Sequence, residues 1–185
     1  MNAILCTAVI LFACLLQPLP HVIADGKEDR KTKESSMKDE TIIIYDPETG
    51  KEETVQRISK TEDEWKAQLS EEAYYVTRMR GTEKPFTGKY THTKNTGLYH
   101  CVCCGTILFS SEHKFDSGTG WPSFCNPVSE RNIHKQPDLR GSIHLTEVVC
   151  ARCGAHLGHV FDDGPPPTGQ RYCINSVSLE FRKKD

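Results

Sequence analysis

The sequence predicts a mainly β fold, built of antiparallel sheets and preceded by short helices. Beyond Gly88, short β-prone runs alternate with glycine, proline, asparagine and aspartate, which is typical of strands joined by turns. No helical segments alternate with these runs, which argues against the βαβ pattern of a parallel sheet. Two Cys-x-x-Cys-Gly motifs interrupt the runs and indicate a structural metal site in the same domain.

Residues 1–24 have the features of a signal peptide. The run from Ala3 to Leu16 is apolar apart from Thr7, and Ala24 precedes a charged tract. The run is shorter than the roughly 20 residues that a membrane span needs. No Lys or Arg precedes it, and Leu11–Cys14 loosely resembles a bacterial lipoprotein box, so a lipid on Cys14 and an uncleaved anchor stay open as alternatives. We expect an exported protein, located in the periplasm, the endoplasmic reticulum lumen or outside the cell.

Residues 25–58 are predicted to be a disordered linker or extension without chemistry. Their first part, DGKEDRKTKESSMKDE, holds too little apolar surface to order itself. Within the second part, Thr41–Tyr45 has the composition of a short edge strand, followed by turn residues. The folded domain is expected to occupy residues 59–185.

Two short helices are predicted at the start of this domain. Thr61 and Glu64 form a capping-box pattern, and Trp65 and Leu69 follow at the spacing of one helical face. Ser70 begins a second helix or turn, and Gly81 ends the region. The β-prone runs that follow are Lys89–Thr93, Gly97–Cys101, Thr106–Ser110, Ser142–Val149 and Arg171–Phe181.

The chain as a whole is neither strongly basic nor strongly acidic. The chain of 185 residues has 23 basic and 25 acidic side chains, so its formal net charge is −2. Such a balance gives no reason to expect binding to nucleic acid or to an anionic membrane. We expect a monomer.

The paired cysteines predict a zinc site. Cys101 and Cys104 form one Cys-x-x-Cys-Gly motif, and Cys150 and Cys153 form the second. Two such turns place four thiolates around one point, which is the closed tetrahedral arrangement of a structural zinc ion. The alternative is a pair of disulfides, which an exported protein allows.

Three thiols of the domain remain: Cys103, Cys125 and Cys173. Cys173 has the surroundings of a nucleophile, because Arg171 and Asn175 lie two residues away on either side and share its face of an extended strand. A neighbouring cation favours the reactive thiolate. A buried structural thiol is the alternative.

Other stretches of the sequence point to a function when they are considered together with Cys173. Trp121 and Phe124 stand on a glycine- and proline-shaped loop, and His156 and His159 follow the second cysteine motif. Each of them has an alternative role in the core. The combination of KFDSGTGWPSF, CGAHLGHVFDDGPPPTGQRYCINS and the terminal SLEF closely resembles the methionine sulfoxide reductases of the B type, from about Trp65 to Phe181.

The resemblance implies a compact, mainly antiparallel β fold with a zinc site opposite the active site. It implies reduction of the R epimer of methionine sulfoxide, free or in proteins. Cys173 is then the nucleophile that becomes a sulfenic acid. His156 and His159 protonate the sulfoxide oxygen, Asn175 positions the substrate and Arg171 favours the thiolate. Trp121 and Phe124 provide the substrate-binding surface, and the indole contacts the S-methyl group.

One position departs from the family pattern. Many members have a resolving cysteine where this chain has Thr119. Cys125 is the first candidate to take over its role and Cys103 the second. Alternatively, an external thiol reduces Cys173 directly, and the reductant is a thioredoxin-like protein or a small thiol.

Two other classes of protein stay open. A zinc-ribbon binding module would keep the four ligands but need neither Cys173 nor Trp121. A disulfide-bonded secreted protein without catalysis would bind no metal.

Overall fold

The computed structural model describes residues 40–141 and 144–184, and within them eleven strands form three antiparallel sheets. The strand orders are β1-β2, β11-β3-β4 and β5-β6-β10-β9-β8-β7. The strands are β1 Thr41–Asp46, β2 Lys51–Gln56, β3 Gly97–Cys101, β4 Ile107–Ser110, β5 Lys114–Phe115, β6 Ser123–Phe124, β7 Ile133–Asp138, β8 Leu145–Cys150, β9 His156–Phe161, β10 Arg171–Ile174 and β11 Leu179–Lys183.

The two helices begin where the sequence predicts. Helix α1, Glu62–Gln68, has the complete capping box, since Thr61 accepts from the Glu64 N–H and Glu64 accepts from the Thr61 N–H. Helix α2, Glu71–Met79, is capped by the Ser70 side chain. Trp65 buries its indole in the core with 2% of its surface exposed.

The region before the domain is a folded hairpin from residue 41 to residue 56, which corrects the linker prediction for that part. β1 pairs with β2 over six residue pairs. The buried amide of Asn132 joins the hairpin to the domain by accepting from the Tyr45 N–H and donating to the Tyr45 carbonyl, both at 2.7 Å. The sequence signal was incomplete because half of the β2 residues are charged and most of them are exposed. The hairpin is ordered by the backbone pairing of β1 with β2 and by the Asn132 amide, which is distant in the sequence.

Three predicted strand runs differ in the structure. Lys89–Thr93 forms turns, and the run at Ser142–Val149 is a strand at Leu145–Cys150. The long run Arg171–Phe181 divides into β10 and β11, which belong to different sheets. A 3-10 turn at Ser176–Ser178 separates them, because the Glu83 carboxylate accepts from the Ser176 and Val177 N–H groups and turns the chain away.

An aromatic cluster lies between the larger sheets. Phe109 stacks on Phe124 with ring centroids 4.5 Å apart, and Tyr99 meets Phe124 edge-on at 5.0 Å. All three are fully buried. Phe124 is therefore a core residue, which corrects the prediction that it contacts substrate. The sequence placed it beside Trp121 on a loop, but β6 turns its side chain inward.

The predicted signal peptide and the first part of the predicted linker lie outside the described residues. In the part of the chain that the structure describes, no helix is both long and apolar enough to cross a membrane.

Candidate active site and metal centre

A row of polar side chains crosses the six-stranded sheet and includes Cys173. Cys173 on β10 lies opposite Ser123 on one neighbouring strand and His159 on the other. His159 in turn lies opposite Glu147 of β8. Residues directly opposite each other share a face of the sheet. Strand pairing thus brings together a thiol, an imidazole and a carboxylate that are far apart in the sequence.

Cys173 opens into a mostly apolar cavity of about 150 Å³. Its side chain is half-buried, so the sulfur is reachable from solvent. The residues that line the cavity are Thr82, Trp121, Gly158, His159, Phe161, Cys173 and Asn175. The structure therefore joins four of the predicted site residues in one pocket and adds Phe161, which the sequence reasoning missed.

Glu83 holds two walls of this pocket in place. Its carbonyl accepts from the Trp121 Nε1–H at 3.1 Å, and its N–H donates to Asn175 Oδ1 at 3.0 Å. Asn175 also donates to the Leu157 carbonyl at 2.9 Å. A lone glutamate in a polar loop carries no local signal of such a role, because its partners are distant in the sequence.

Opposing influences set the acidity of Cys173. Burial raises the pKa of the thiol and is the largest influence, while the Thr119 hydroxyl and the Arg171 guanidinium lower it. Thr119 Oγ1 lies 3.9 Å from the sulfur. Arg171 thus favours the thiolate, but the net direction of the Cys173 pKa is upward because burial outweighs it. The cation offsets part of the desolvation.

Arg171 is fixed by a carboxylate and an aromatic ring. Its guanidinium donates to both oxygens of Asp163, at 2.8 and 2.9 Å, and lies 4.4 Å from the centroid of the Phe161 ring. The bidentate pair raises the pKa of Arg171 and lowers that of Asp163. Arg171 therefore acts on Cys173 from beside the pocket rather than as part of its lining.

His159 is oriented by an acidic partner. Its Nε2 lies 2.9 Å from Asp138 Oδ2, and Asp138 also accepts two bonds from the Arg140 guanidinium. Arg140 first, and His159 second, hold the pKa of Asp138 well below its usual range. Because an ionised carboxylate only accepts, His159 donates through Nε2, and Nδ1 is the ring nitrogen left for a substrate.

A β-bulge places the second histidine on the same face. Val148 faces Gly158 but Val149 faces His156, so Leu157 is an extra residue in β9. Without the bulge, residues three apart would point to opposite faces. The two imidazole centroids lie 5.4 Å apart.

His156 nevertheless does not line the pocket, and this corrects its predicted role as a direct donor. Its Nδ1 lies 2.6 Å from Oε1 of the fully buried Glu147, which also accepts from Arg80 and Gln136. Burial, with nearby positive charges, lowers the pKa of His156 to about 3. His156 Nε2 is buried without a partner among the described residues. His156 supports the wall behind His159.

The four paired cysteines form a cluster that could hold a metal ion. Their sulfur atoms all lie within 4.8 Å of one another, with 3.7 Å from Cys101 to Cys153 and 3.5 Å from Cys104 to Cys150. Four sulfurs about 2.3 Å from a central ion would lie about 3.8 Å apart. All seven cysteines within the described residues are free thiols. The geometry thus favours a metal centre over the disulfide alternative.

Comparison with known proteins identifies the family. Residues 69–183 match the family model described as the SelR domain. A peptide methionine sulfoxide reductase MsrB of Hahella chejuensis is 55% identical over 129 residues, which are 70% of this chain and 93% of that protein. An MsrB of Pseudomonas putida is 56% identical over 131 residues, covering 71% of this chain and 98% of its own. The chain belongs to the methionine sulfoxide reductase B family.

A plant relative also matches this part of the chain. The chloroplastic peptide methionine sulfoxide reductase B1 of Oryza sativa is 57% identical over 127 residues, which are 68% of this chain and 58% of the rice protein. Family membership confirms the resemblance found in the sequence and the mainly β fold with its four-cysteine cluster. As a member of the reductase family, the chain is an oxidoreductase that acts on sulfur groups.

In this reductase, Thr119, which stands where the resemblance predicts a resolving cysteine, has its Oγ1 3.9 Å from the Cys173 sulfur. Its contact with Cys173 shows that a thiol there would be within reach. Cys125 follows β6, two residues beyond the partner of Cys173. Diagonal neighbours in a regular sheet are about 7–8 Å apart, so a bridge needs a local shift. Cys103 is buried against Cys101 and Cys153 and does not line the pocket.

Proposed function

We propose that this reductase converts the R epimer of methionine sulfoxide, free or in oxidised proteins, to methionine. The observation that carries the proposal is the small apolar pocket in which the Cys173 thiol, the Trp121 indole and the His159 imidazole meet. An S-methyl group is small and apolar, and an indole face suits it. The sulfoxide oxygen needs a hydrogen-bond donor, and a His159 imidazolium, with its Nε2–H on Asp138, would donate to it through Nδ1–H.

The reaction transfers oxygen from one sulfur to another. The Cys173 thiolate attacks the sulfoxide sulfur, whose oxygen takes the Nδ1 proton of the His159 imidazolium. The oxygen passes to Cys173 as a sulfenic acid, and methionine leaves with its sulfur reduced by two electrons. A thiol then attacks the sulfenic acid, forming a disulfide with Cys173 and releasing water, and thiol exchange with the reductant restores the Cys173 thiol. The reductant is a thioredoxin-like protein or a small thiol.

Epimer preference would follow from the fixed walls of the pocket. With the methyl group on Trp121 and the sulfur facing Cys173, only one configuration at sulfur directs the oxygen to His159. Glu83 and Asn175 maintain this arrangement because they bind the Trp121 wall to β10.

Turnover of the separated epimers tests the proposal. The R and S sulfoxides of a blocked methionine are offered with dithiothreitol to the wild type and to Cys173→Ser. We expect consumption of the R epimer by the wild type only. If neither epimer reacts while the metal is bound, the fold serves as a binding module, and the catalytic proposal is wrong.

We infer that Cys125 attacks the Cys173 sulfenic acid and forms a disulfide with Cys173. Thr119 provides no thiol, and Cys125 is a half-buried thiol that follows the strand next to β10. After one turnover without reductant, mass spectrometry should show a Cys125–Cys173 bridge. A lasting sulfenic acid at Cys173 with Cys125 free would instead favour direct reduction by the external thiol.

We propose that the bound metal is one structural zinc ion, held by Cys101, Cys104, Cys150 and Cys153. Four thiolates suit zinc and leave no open position for a substrate or water. The ion would take no electrons and would hold two distant segments together. We further propose that residues 1–24 direct export and that the mature protein is a monomer. Amino-terminal sequencing of the mature protein tests cleavage near Ala24 and lipid attachment at Cys14.

A further inference from the structure

Phe86 is an exposed apolar side chain next to the candidate active site. Its exposed fraction is 61%, which is high for a large aromatic residue. Other large apolar residues of the described chain are exposed at Ile43, Tyr75, Met79 and Leu139.

The backbone of Phe86 is strained. Its φ is +64°, in the left-handed region that bulky residues avoid. The Thr87 N–H approaches the Lys84 carbonyl at 3.4 Å, so Pro85 and Phe86 are the central residues of a tight turn. Glycine normally occupies the third position of such a turn when φ is positive. A phenylalanine here costs free energy and leaves most of an apolar ring in water.

The Phe86 turn is attached to the Trp121 loop. The Phe86 N–H donates to the Gly120 carbonyl at 2.7 Å. A methyl group added at Gly120 would lie 3.0 Å from Phe86 Cδ2, so ring and loop are in close contact. Gly120 immediately precedes Trp121, which forms a wall of the pocket. Phe86 is therefore held beside the pocket on the Trp121 side.

We propose that Phe86 binds an apolar side chain next to the methionine sulfoxide of a polypeptide substrate. The inference rests on the proposed function, because it assigns a specificity-determining residue beside that same pocket. Apolar flanks are buried in folded proteins and become available on unfolding. Their contact with Phe86 would remove its ring from water. A free amino acid has no flanking side chains and would gain nothing from Phe86.

Phe86→Gly is the sharpest test, since glycine accepts the positive φ and removes only the ring. The substrates are a blocked methionine R-sulfoxide and a short peptide with leucine on both sides of the sulfoxide. We expect kcat/KM for the peptide to fall about tenfold through a higher KM. The blocked amino acid should react at the wild-type rate, Phe86→Leu should keep most of the peptide activity, and the Tm of Phe86→Gly should not fall.

Met79→Ala is the matched control. Met79 is exposed to 62%, close to the value for Phe86, but lines a separate surface cavity beside α1 and α2. It should leave both substrates unaffected. Equal losses on both substrates in Phe86→Gly would show that Phe86 only supports the Trp121 loop. Wild-type rates of Phe86→Gly on both substrates would show that Phe86 binds nothing. Either result overturns the inference. Failure of the wild type on the blocked R-sulfoxide would instead overturn the proposed function.

Discussion

The reactivity of Cys173 depends on how burial and nearby donors act on one thiol. Burial raises its pKa, and Thr119 and Arg171 act in the opposite direction. Asp163 adds a smaller unfavourable influence while it orients Arg171. A raised pKa leaves less thiolate at neutral pH. The rate at which Cys173 is alkylated should therefore rise as the pH increases, because the thiolate is the nucleophile.

Arg171→Gln should slow alkylation of Cys173. Loss of the cation leaves burial and the Asp163 charge in place, so the pKa of Cys173 rises further and less thiolate exists at neutral pH. We expect the rate with iodoacetamide at pH 7 to fall about threefold to tenfold, and the rate profile to move to higher pH. Mass spectrometry of the peptide that contains Cys173 measures the rate.

Arg182→Gln is the control for this charge change. Arg182 forms an exposed ion pair with Glu180 on β11. Its removal should leave the alkylation profile of Cys173 unchanged. An unchanged profile in Arg171→Gln as well would contradict an electrostatic role for Arg171.

Gly158→Ala tests the close approach of β9 to the nucleophile strand. A Cβ at Gly158 would lie 2.0 Å from the Cys173 carbonyl oxygen, so the strands must separate. We expect a loss of about 1–3 kcal/mol in the free energy of unfolding. Turnover should fall about tenfold to hundredfold, because His159 moves relative to Cys173. Urea unfolding and epimer turnover measure the two effects.

Gly50→Ala is the comparison, since Gly50 also has a positive φ of 69° but no neighbour within 4 Å of an added Cβ. It should cost about 1–2 kcal/mol from backbone strain alone and leave turnover unchanged. Similar kinetics in both variants would argue against steric control at Gly158.

Among the elements, β9 and the amino-terminal hairpin carry the least predictable features. The bulge in β9 turns His156 towards Glu147, and no residue in its sequence marks the extra position. The hairpin depends on Asn132, which is fully buried and also donates to the Ile107 carbonyl at 2.7 Å. Ile58, directly after the hairpin, donates to the Arg152 carbonyl within the second cysteine motif. The hairpin thus supports the metal centre.

Asn132→Ala should release the hairpin. The variant leaves the Tyr45 N–H and carbonyl without their partner and removes a bond to Ile107. We expect a loss of about 2–4 kcal/mol in stability and faster tryptic cleavage after Lys51 and Arg57. Limited proteolysis and urea unfolding provide the measurement.

Arg131→Ala serves as the neighbouring control. Arg131 joins the hairpin only through an exposed ion pair with Glu52, at 2.8 Å. Its loss should change stability by less than about 0.5–1 kcal/mol. Equal protection of the hairpin in both variants would show that Asn132 is not its anchor.

The metal centre connects the two larger sheets. Cys101 ends β3 of the three-stranded sheet, and Cys150 ends β8 of the six-stranded sheet. Each partner cysteine lies in the turn that follows. A bound ion therefore closes a long loop of the chain and stabilises the contact between the sheets. It lies outside the catalytic pocket, whose lining includes none of the four ligands.

Cys104→Ser should lose the metal and much of the stability. We expect Tm to fall by more than about 10 °C, matching the effect of a strong chelator on the wild type. Cys103→Ser, in the same motif but outside the ligand set, should keep one metal ion per chain. Elemental analysis and thermal melting test both variants. Retention of the metal by Cys104→Ser would contradict the four-cysteine site.

The sequence alone was sufficient for the mainly β class, the helix starts, the four-cysteine cluster and the family. These features depend on local patterns, namely the capping box at Thr61, the two Cys-x-x-Cys-Gly motifs and the contiguous segment around Cys173. Short-range spacing survives folding unchanged, so such patterns can be interpreted without coordinates. Cys173 and Trp121 were identified in this way, and the structure places both in one pocket.

Long-range pairing decided the rest. The Glu83 bonds to Trp121 and Asn175 and the Asn132 anchor join residues 38 or more positions apart, and no local pattern announces them. The same pairing turned Phe124 into the core, placed His156 behind His159 and directed Phe161 into the pocket. The extent to which a thiol is buried likewise depends on residues from distant segments that pack around it. The direction of the Cys173 pKa shift could therefore be decided only by the tertiary structure.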